Sequence, residues 1–386
     1  MINPSKHKPR IALLAMGILG EGKIGQGIPV LTDLFKRLSE HFEIVWYSFS
    51  PIDVTATPAQ IKVRQVVSWP LPGRLRYLIL CLCFLFDHFR NPYDLLFAVS
   101  VFPPGAWAVW IGKLVRRKVL VQIIALEAVS LPEIKAGYLY YPWHRTVTKR
   151  VCEEVDVLIA VAEYQKKVAQ LSLPTNRDIV VLPLRINPKN LRYVQRKITY
   201  PLRLIHIAYY SPIKDQQTMF KAFAKVAQVI DCYLTVIGSG YHVPEVPALL
   251  QELKISERVT FTGEVSQSDL PNYLDKAHIM LHPARFETGC AVIQEAMASG
   301  VAVCGTNVGL LADIGDRYAM IAPVRDADVM AGNIMTLINN PSLYASITAE
   351  AYQWITQYDS TWSYRNYLDF LNRELENKTS RNDRFK

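Results

Sequence analysis

A chain of 386 residues, half of them hydrophobic and a fifth charged, is long and apolar enough for two or three domains and is not a disordered protein. Six cysteines, at 81, 83, 152, 232, 290 and 304, form no Cys-x-x-Cys pair and no His/Cys cluster. They exclude a disulfide framework and any metal site recognisable from spacing, and a reducing cytosol suits them. Charge is lopsided: residues 1–200 carry 27 Lys and Arg against 14 Asp and Glu, while the whole chain is only +9.

From the N-terminus, ten largely polar residues precede a six-residue apolar run, Ile11 to Met16, too short for a signal core and expected as a first strand. It enters a glycine-rich loop, Gly17 to Gly27, followed by a helix from about Ile28 to Glu40. Strand, glycine loop and helix in that order put flexible backbone, Gly25 and Gly27 in particular, beside a helix N-terminus. Such a place suits a phosphate or a closely approaching sugar, a mobile loop being the alternative. The glycine spacing is not the dinucleotide fingerprint, and no acidic residue ends the next strand, Glu43 to Phe49.

The alternation continues: a helix over Arg74 to Phe89, a strand at Leu95 to Ser100, a helix after Pro104-Gly105, a strand at Val119 to Ala125, a helix around His144 to Glu154, and strands at Val157 to Ala162 and Ile179 to Leu184. The ten apolar residues Tyr77 to Phe86 cannot span a bilayer. They read first as a helix buried in a large core, with a membrane-contact helix as the alternative. Asn187 to Pro201, polar and carrying two prolines, is the expected linker. A second alternation begins at Leu202 to Ala208, and an amphipathic helix from Asp359 or Ser360 to Asn377 ends the pattern. Strands alternating with helices, several of them apolar throughout, imply parallel sheets covered on both faces.

Basic clusters at Arg74/Arg76, Lys113 to Lys118 and Arg145 to Arg150 could serve nucleic acid, but no binding motif or ring of aromatics accompanies them, so nucleic acid is not expected. An anionic membrane surface or a phosphate-bearing acceptor fits better, and a plain solvated basic surface fits as well.

One stretch organises the second half: His282-Pro-Ala-Arg-Phe-Glu-Thr-Gly-Cys-Ala-Val-Ile-Gln-Glu-Ala-Met-Ala-Ser-Gly-Val. Thr288 is the expected N-cap of a helix that Gly300 terminates. Glu287 and Glu295 would lie roughly 12 Å apart along it, too far for a hydrolytic carboxylate pair. The spacing suits two hydroxyl-binding carboxylates with backbone N–H groups facing an anion between them. Pro-x-x-x-Glu, seven residues, then Glu-Ala-Met-Ala-x-Gly-Val resembles the signature of family 4 glycosyltransferases, the large retaining group with the GT-B fold.

The resemblance implies two doubly wound, Rossmann-like parallel-sheet domains facing across a cleft: 1–195 on the acceptor side, 196–355 binding a nucleotide-sugar, and a 356–386 helix crossing back to the first domain. It implies that Lys214, in Pro212-Ile-Lys-Asp-Gln-Gln-Thr218, contacts donor phosphates. Gly238-Ser239-Gly240 would approach the nucleotide, and Gly263-Glu264-Val265 would border the base. Glu287 would bind donor-sugar hydroxyls, backbone at Thr288, Gly289, Cys290 and Ala291 would hold sugar and phosphates, and Glu295 would accept from the ribose. Three departures stand out. Tyr209 replaces a usual arginine, so Arg285, or failing that Arg185, would supply the missing cation. The stretch Ile124 to Glu127 lacks a usual histidine, though Glu127 could meet the acceptor. A glycine pair later in the chain appears as Gly309-Leu310.

The expected activity is a hexosyltransferase: retaining, metal-independent, and without a cofactor beyond a UDP- or GDP-linked sugar donor. A saccharide or lipid-linked cell-envelope acceptor is expected, with the protein in the cytoplasm and possibly peripheral on the membrane's inner face. A catalytically silent nucleotide-sugar-binding subunit and a GT-B epimerase are the alternatives.

Overall fold

The computed structural model describes residues 8–20, 27–65, 73–173 and 178–382. Gly25 lies outside them. The chain divides into two compact units, Met1–Val161, Gln165–Leu184 and Ser360–Lys386 forming one, Ala162–Tyr164 and Arg185–Asp359 the other.

In the first unit the order is β1 (Arg10–Ala15), α1 (Pro29–Leu38), β2 (Glu43–Ser48), β3 (Lys62–Gln65), α2 (Gly73–Arg90), β4 (Leu95–Val99), α3 (Ala106–Val115), β5 (Lys118–Gln122), α4 (Pro142–Glu154), β6 (Val157–Ala160), α5 (Glu163–Ser172) and β7 (Ile179–Val181). Among the described residues these strands form one parallel sheet in the order β3-β2-β1-β4-β5-β6-β7. β1 and β4 are buried at every position, as strands covered on both faces must be. One face packs on Leu80 and Phe84 of α2, Ile111 of α3 and Cys152 of α4. The other packs on Leu31 and Phe35 of α1.

The second unit runs β8 (Leu202–Ile207), α6 (Gln216–Ala227), β9 (Cys232–Ile237), α7 (Glu245–Glu252), β10 (Val259–Gly263), α8 (Leu270–Leu274), β11 (Ile279–His282), α9 (Ala291–Ala298), β12 (Ala302–Thr306), α10 (Gly309–Ile314), β13 (Met320–Ala322), α11 (Ala327–Asn339) and α12 (Pro341–Gln357). Its parallel sheet has the order β10-β9-β8-β11-β12-β13. The chain therefore winds outward from β8 in one direction and returns to β11 on β8's other side. The carboxyl ends of β8 and β11 form the topological switch point, where loops diverge and leave a crevice.

The last helix, α13 (Ser360–Asn382), belongs to the first unit. Tyr367 is fully buried there and donates its hydroxyl to the Leu182 carbonyl at 2.9 Å, while Arg37 of α1 donates to the hydroxyls of Ser360 and Thr361. The edge strand β3 carries no sequence signal because Lys-Val-Arg-Gln is polar and exposed along half its length. Tyr367→Ala should lower the unfolding free energy by about 3 kcal/mol or more through the cavity it leaves, and Tyr367→Phe by about 1 kcal/mol through the lost hydrogen bond. Urea titrations of the two variants check this order.

Candidate active site

At the switch point of the second unit, the loop after β8 supplies Lys214 and the loop after β11 supplies Glu287. The two loops are tied directly, since the backbone N–H of Arg285 donates to the Ile213 carbonyl at 2.8 Å. The Lys214 ammonium forms an ion pair with Glu287 Oε2, both side chains being mostly buried at 17% and 15% exposure. His282, the last residue of β11, places Nε2 3.3 Å from the same oxygen. Glu287 Oε1 accepts from the N–H of Thr288 at 3.1 Å.

Burial by itself would raise the Glu287 carboxyl, but the Lys214 charge outweighs it and, with the His282 hydrogen bond, holds the group well below the ordinary carboxylate range. Burial would likewise lower Lys214, and Glu287 overrides it, so the ammonium stays charged. Burial pulls His282 down, which keeps it neutral near pH 7. The site therefore holds one fixed cation and one fixed carboxylate at neutral pH.

Two close backbone approaches hold this arrangement. Gly309, at φ +56°, sits so near that a Cβ would fall 2.6 Å from the Thr288 carbonyl oxygen and 2.7 Å from the Glu287 carbonyl carbon. The next N–H, that of Leu310, donates to Thr288 O at 2.8 Å. On the opposite side Gly238, at φ +136°, would put a Cβ 2.1 Å from the Ala208 carbonyl, and Tyr210 N–H donates to Ser239 O at 2.8 Å. Glycine is required at both positions because backbone occupies the space of a side chain.

The helix after the site begins two residues later than its sequence suggests. Thr288 is not its N-cap; Cys290 is, in left-handed conformation at φ 35°, and it supplies no side-chain capping bond. Glu287 thus lies in the loop ahead of α9, whose first-turn N–H groups face outward from the helix start. Gly289 is fixed by Gln294, whose Nε2 donates to its carbonyl at 2.8 Å, and Ala291 opens the helix. Cys290 Sγ lies 3.5 Å from His282 Nε2, and burial pushes its thiol far up, so it is un-ionised. Glu295, only 5% exposed, accepts from Gln267 Nε2, and burial raises its carboxyl. Gly240 lies at φ +87° against Tyr210, whereas Gly263, Glu264 and Val265 lie at the open end of edge strand β10, Gly263 with no neighbouring atom in Cβ range.

Arg285 is near but engaged: its guanidinium lies 3.3 Å from Asp215 Oδ1, next to Lys214 in the chain. Arg185 stacks its guanidinium 4.8 Å over the Trp354 ring, and burial pushes its pKa down to about 10 against the opposing charge of Asp313. Tyr209, standing at the usual arginine position, is 57% exposed. In the first unit Glu127 is not free for an acceptor. It is 1% exposed and accepts from the N–H groups of Ile124 and Ala125 at 3.3 and 2.6 Å, locking its own loop. Gly27, at φ +84°, packs directly on Gly20, where a Cβ would meet backbone at 2.4 Å.

Residues that sequence reasoning passed over are His282 and Gln294, both inside the organising stretch, and Gln216, which donates to Tyr209 O at 3.0 Å and to Tyr241 Oη at 3.2 Å. Among the described residues, one trio has ligand atoms close enough for a metal: His282, Glu287 and Cys290, all within 4.8 Å of one another. The Glu287 oxygen it would use already holds the Lys214 ammonium.

Residues 189–354 match the family model described as glycosyl transferases, group 1. The chain is 30% identical over 151 residues to N-acetyl-alpha-D-glucosaminyl L-malate synthase of Bacillus anthracis, covering 38% of this chain and 39% of that one. It is 22% identical over 241 residues to a GDP-mannose-dependent alpha-(1-6)-phosphatidylinositol monomannoside mannosyltransferase of Mycobacterium tuberculosis, covering 58% and 63%. The matched part thus spans less than two thirds of either relative. Anabaena HepE, solved with UDP-glucose, superimposes with a TM-score of 0.75 over 94% of this chain and 99% of that one, at 17% identity. The fold is GT-B.

Breaking the central pair strands a charge, so Lys214→Met or Glu287→Gln should each destabilise the protein by about 3 kcal/mol, and the double variant by clearly less than the sum. A double-mutant cycle in urea measures the coupling. The pH dependence has two ends. Glu287 is depressed below its ordinary 4.5, so its contribution is complete above that value and fades as pH falls toward the folded-state pKa. Lys214 is raised above its ordinary 10.5, so its contribution is complete below that value and is lost as pH rises past the folded-state pKa. The melting-temperature gap between wild type and Glu287→Gln should therefore be flat from about pH 5 to pH 10 and narrow on the acid side.

Proposed function

The chain belongs to the group 1 glycosyl transferases, and on that premise we propose that it moves a hexose from a UDP- or GDP-linked donor to a saccharide or lipid-linked acceptor, with retention and without a metal ion. The observation that carries this reading is the ion pair of Lys214 and Glu287 at the switch point of the second unit. A departing nucleoside diphosphate needs positive charge where its negative charge develops. Lys214 supplies it as a cation held in place before the donor arrives, in the role that a metal ion fills elsewhere. Glu287, kept ionised, accepts from donor-sugar hydroxyls and fixes the sugar against the diphosphate. The first-turn N–H groups of α9, after Gly289 and Cys290, add partial positive charge toward the phosphates.

Glu295 accepts from the ribose diol in this scheme, as a carboxylate can accept two hydroxyls at once. Gly238 to Gly240 and Gly263 to Val265 border the nucleotide. Arg285 acts as a positioning residue, neutralising Asp215 so that the Lys214 charge is directed at the donor. Retention follows the resemblance of the Glu287 to Val301 stretch to retaining enzymes. Donor binding is assigned to residues 196–355 and acceptor binding to 1–195, with the helix of 356–386 completing the first domain. A lipid-linked acceptor is supported by the phosphatidylinositol named for the mycobacterial relative, and a cytoplasmic setting by six unpaired cysteines. Among the described residues no helix is long and apolar enough to cross a membrane.

A melting-temperature panel with UDP, GDP, ADP and CMP tests the donor class. One diphosphate should stabilise by about 2–4 kcal/mol at a hundred- to thousandfold excess over Kd, and CMP should not. No response to any diphosphate would remove the donor assignment. Glu287→Gln and Lys214→Met should lower turnover of the matching sugar donor by about a hundredfold or more. An NMR assay of the product anomer, read before mutarotation, decides retention.

A further inference from the structure

Helix α2 covers the first sheet with Leu80, Cys81, Phe84 and His88, all buried. Its opposite face is just as apolar yet open. Leu75, Leu78, Ile79, Leu82, Phe86 and Phe89 are 40%, 54%, 36%, 58%, 60% and 78% exposed. At the helical period these six fall within an arc of about 100° that contains no charged side chain between Leu75 and Phe89. Single exposed apolar residues are ordinary, but a contiguous stripe along an 18-residue helix marks an interaction surface.

α3, on the same face of the sheet, carries exposed apolar residues of its own. Trp107 of α3 packs edge-on against Phe84 of α2 at 6.0 Å, and on the same side of α3 follow Trp110 and Leu114, 57% and 59% exposed. Cations rim this surface. The Arg90 guanidinium lies 5.3 Å over the Phe86 ring at one end, and exposed Arg116 follows α3 beside Lys113, which pairs with Glu154 at 2.8 Å. Asp87, the one acid on α2, is turned inward to Tyr47 and Arg64.

We propose that this face of α2 and α3 is where the protein lies on an anionic lipid bilayer. Charge selects the occupant. A rim of Arg and Lys within a half-chain of 27 cationic against 14 anionic residues repels a second copy and matches acidic headgroups. The apolar stripe with Phe, Leu and Trp at its outer edge has the make-up of an interfacial helix, which enters the headgroup–acyl boundary on one side. Leu80 and Phe84 anchor the other side to the sheet, so the helix lies flat. The membrane is thereby engaged by the first unit, whereas Lys214 and Glu287 belong to the second.

Co-sedimentation of the full chain with vesicles tests this. Wild type should pellet with vesicles of phosphatidylglycerol and phosphatidylcholine in equal parts, less with phosphatidylcholine alone, and less as salt is added. Leu82→Glu combined with Phe86→Glu should reduce partitioning about tenfold or more. Both side chains point outward, so the melting temperature and its response to nucleoside diphosphates should not move, which separates this test from that of the donor assignment. Undiminished pelleting of the double variant, or no pelleting of wild type with the anionic vesicles, would overturn the proposal. So would a dimer in sedimentation velocity that the double variant disperses, which would give the face to a second copy.

Discussion

The second unit is organised around one ion pair in a place where an ion pair is expensive. Removing an ammonium and a carboxylate from water costs several kcal/mol each, and only close geometry with added hydrogen bonds recovers it. Lys214 and Glu287 meet that condition: His282 and the Thr288 N–H complete the carboxylate, and the Arg285 N–H bond to Ile213 locks the two loops together. Natural cores rarely retain such a pair for stability alone. In the proposed reaction its value is that both charges are fixed before the donor arrives, so little reorganisation remains when the leaving group departs.

Around that pair, glycine acts by absence. Gly309 and Gly238 let neighbouring backbone come within a distance that any side chain would block, and each bears on one of the two loops that carry the charges. Cys290 shows the same pressure in another form. A residue with a side chain occupies a left-handed position at the start of α9, with its sulfur folded beneath the site against His282. Arg285 illustrates how proximity and availability differ: two residues from Glu287, it is spent on Asp215.

The first unit carries most of the positive charge and the exposed apolar stripe, the second the charged pair. Under the proposed readings, the lipid-facing surface and the donor site thus fall to different units, and neither has to meet the other's chemical demands. It also accounts for the use of α2, which must satisfy the sheet on one side and is free on the other.

Sequence alone determined the alternation of strands and helices, because buried parallel strands are short apolar runs and their crossovers are amphipathic. It also pointed to the two stretches that hold Lys214 and the glutamates 287 and 295, through their resemblance to the motifs of a known family. Tertiary structure alone decided that Lys214 and Glu287, 73 residues apart, touch, since that depends on β8 lying beside β11 in the sheet order. It decided the start of α9, where a left-handed Cys290 displaced the cap expected at Thr288, and it turned Glu127 inward onto its own loop. It decided as well the fate of Tyr77 to Phe86. A run apolar at nearly every position has no polar side to announce which face meets the core, and only the packing of α2 on the sheet settled that half of it would remain outside.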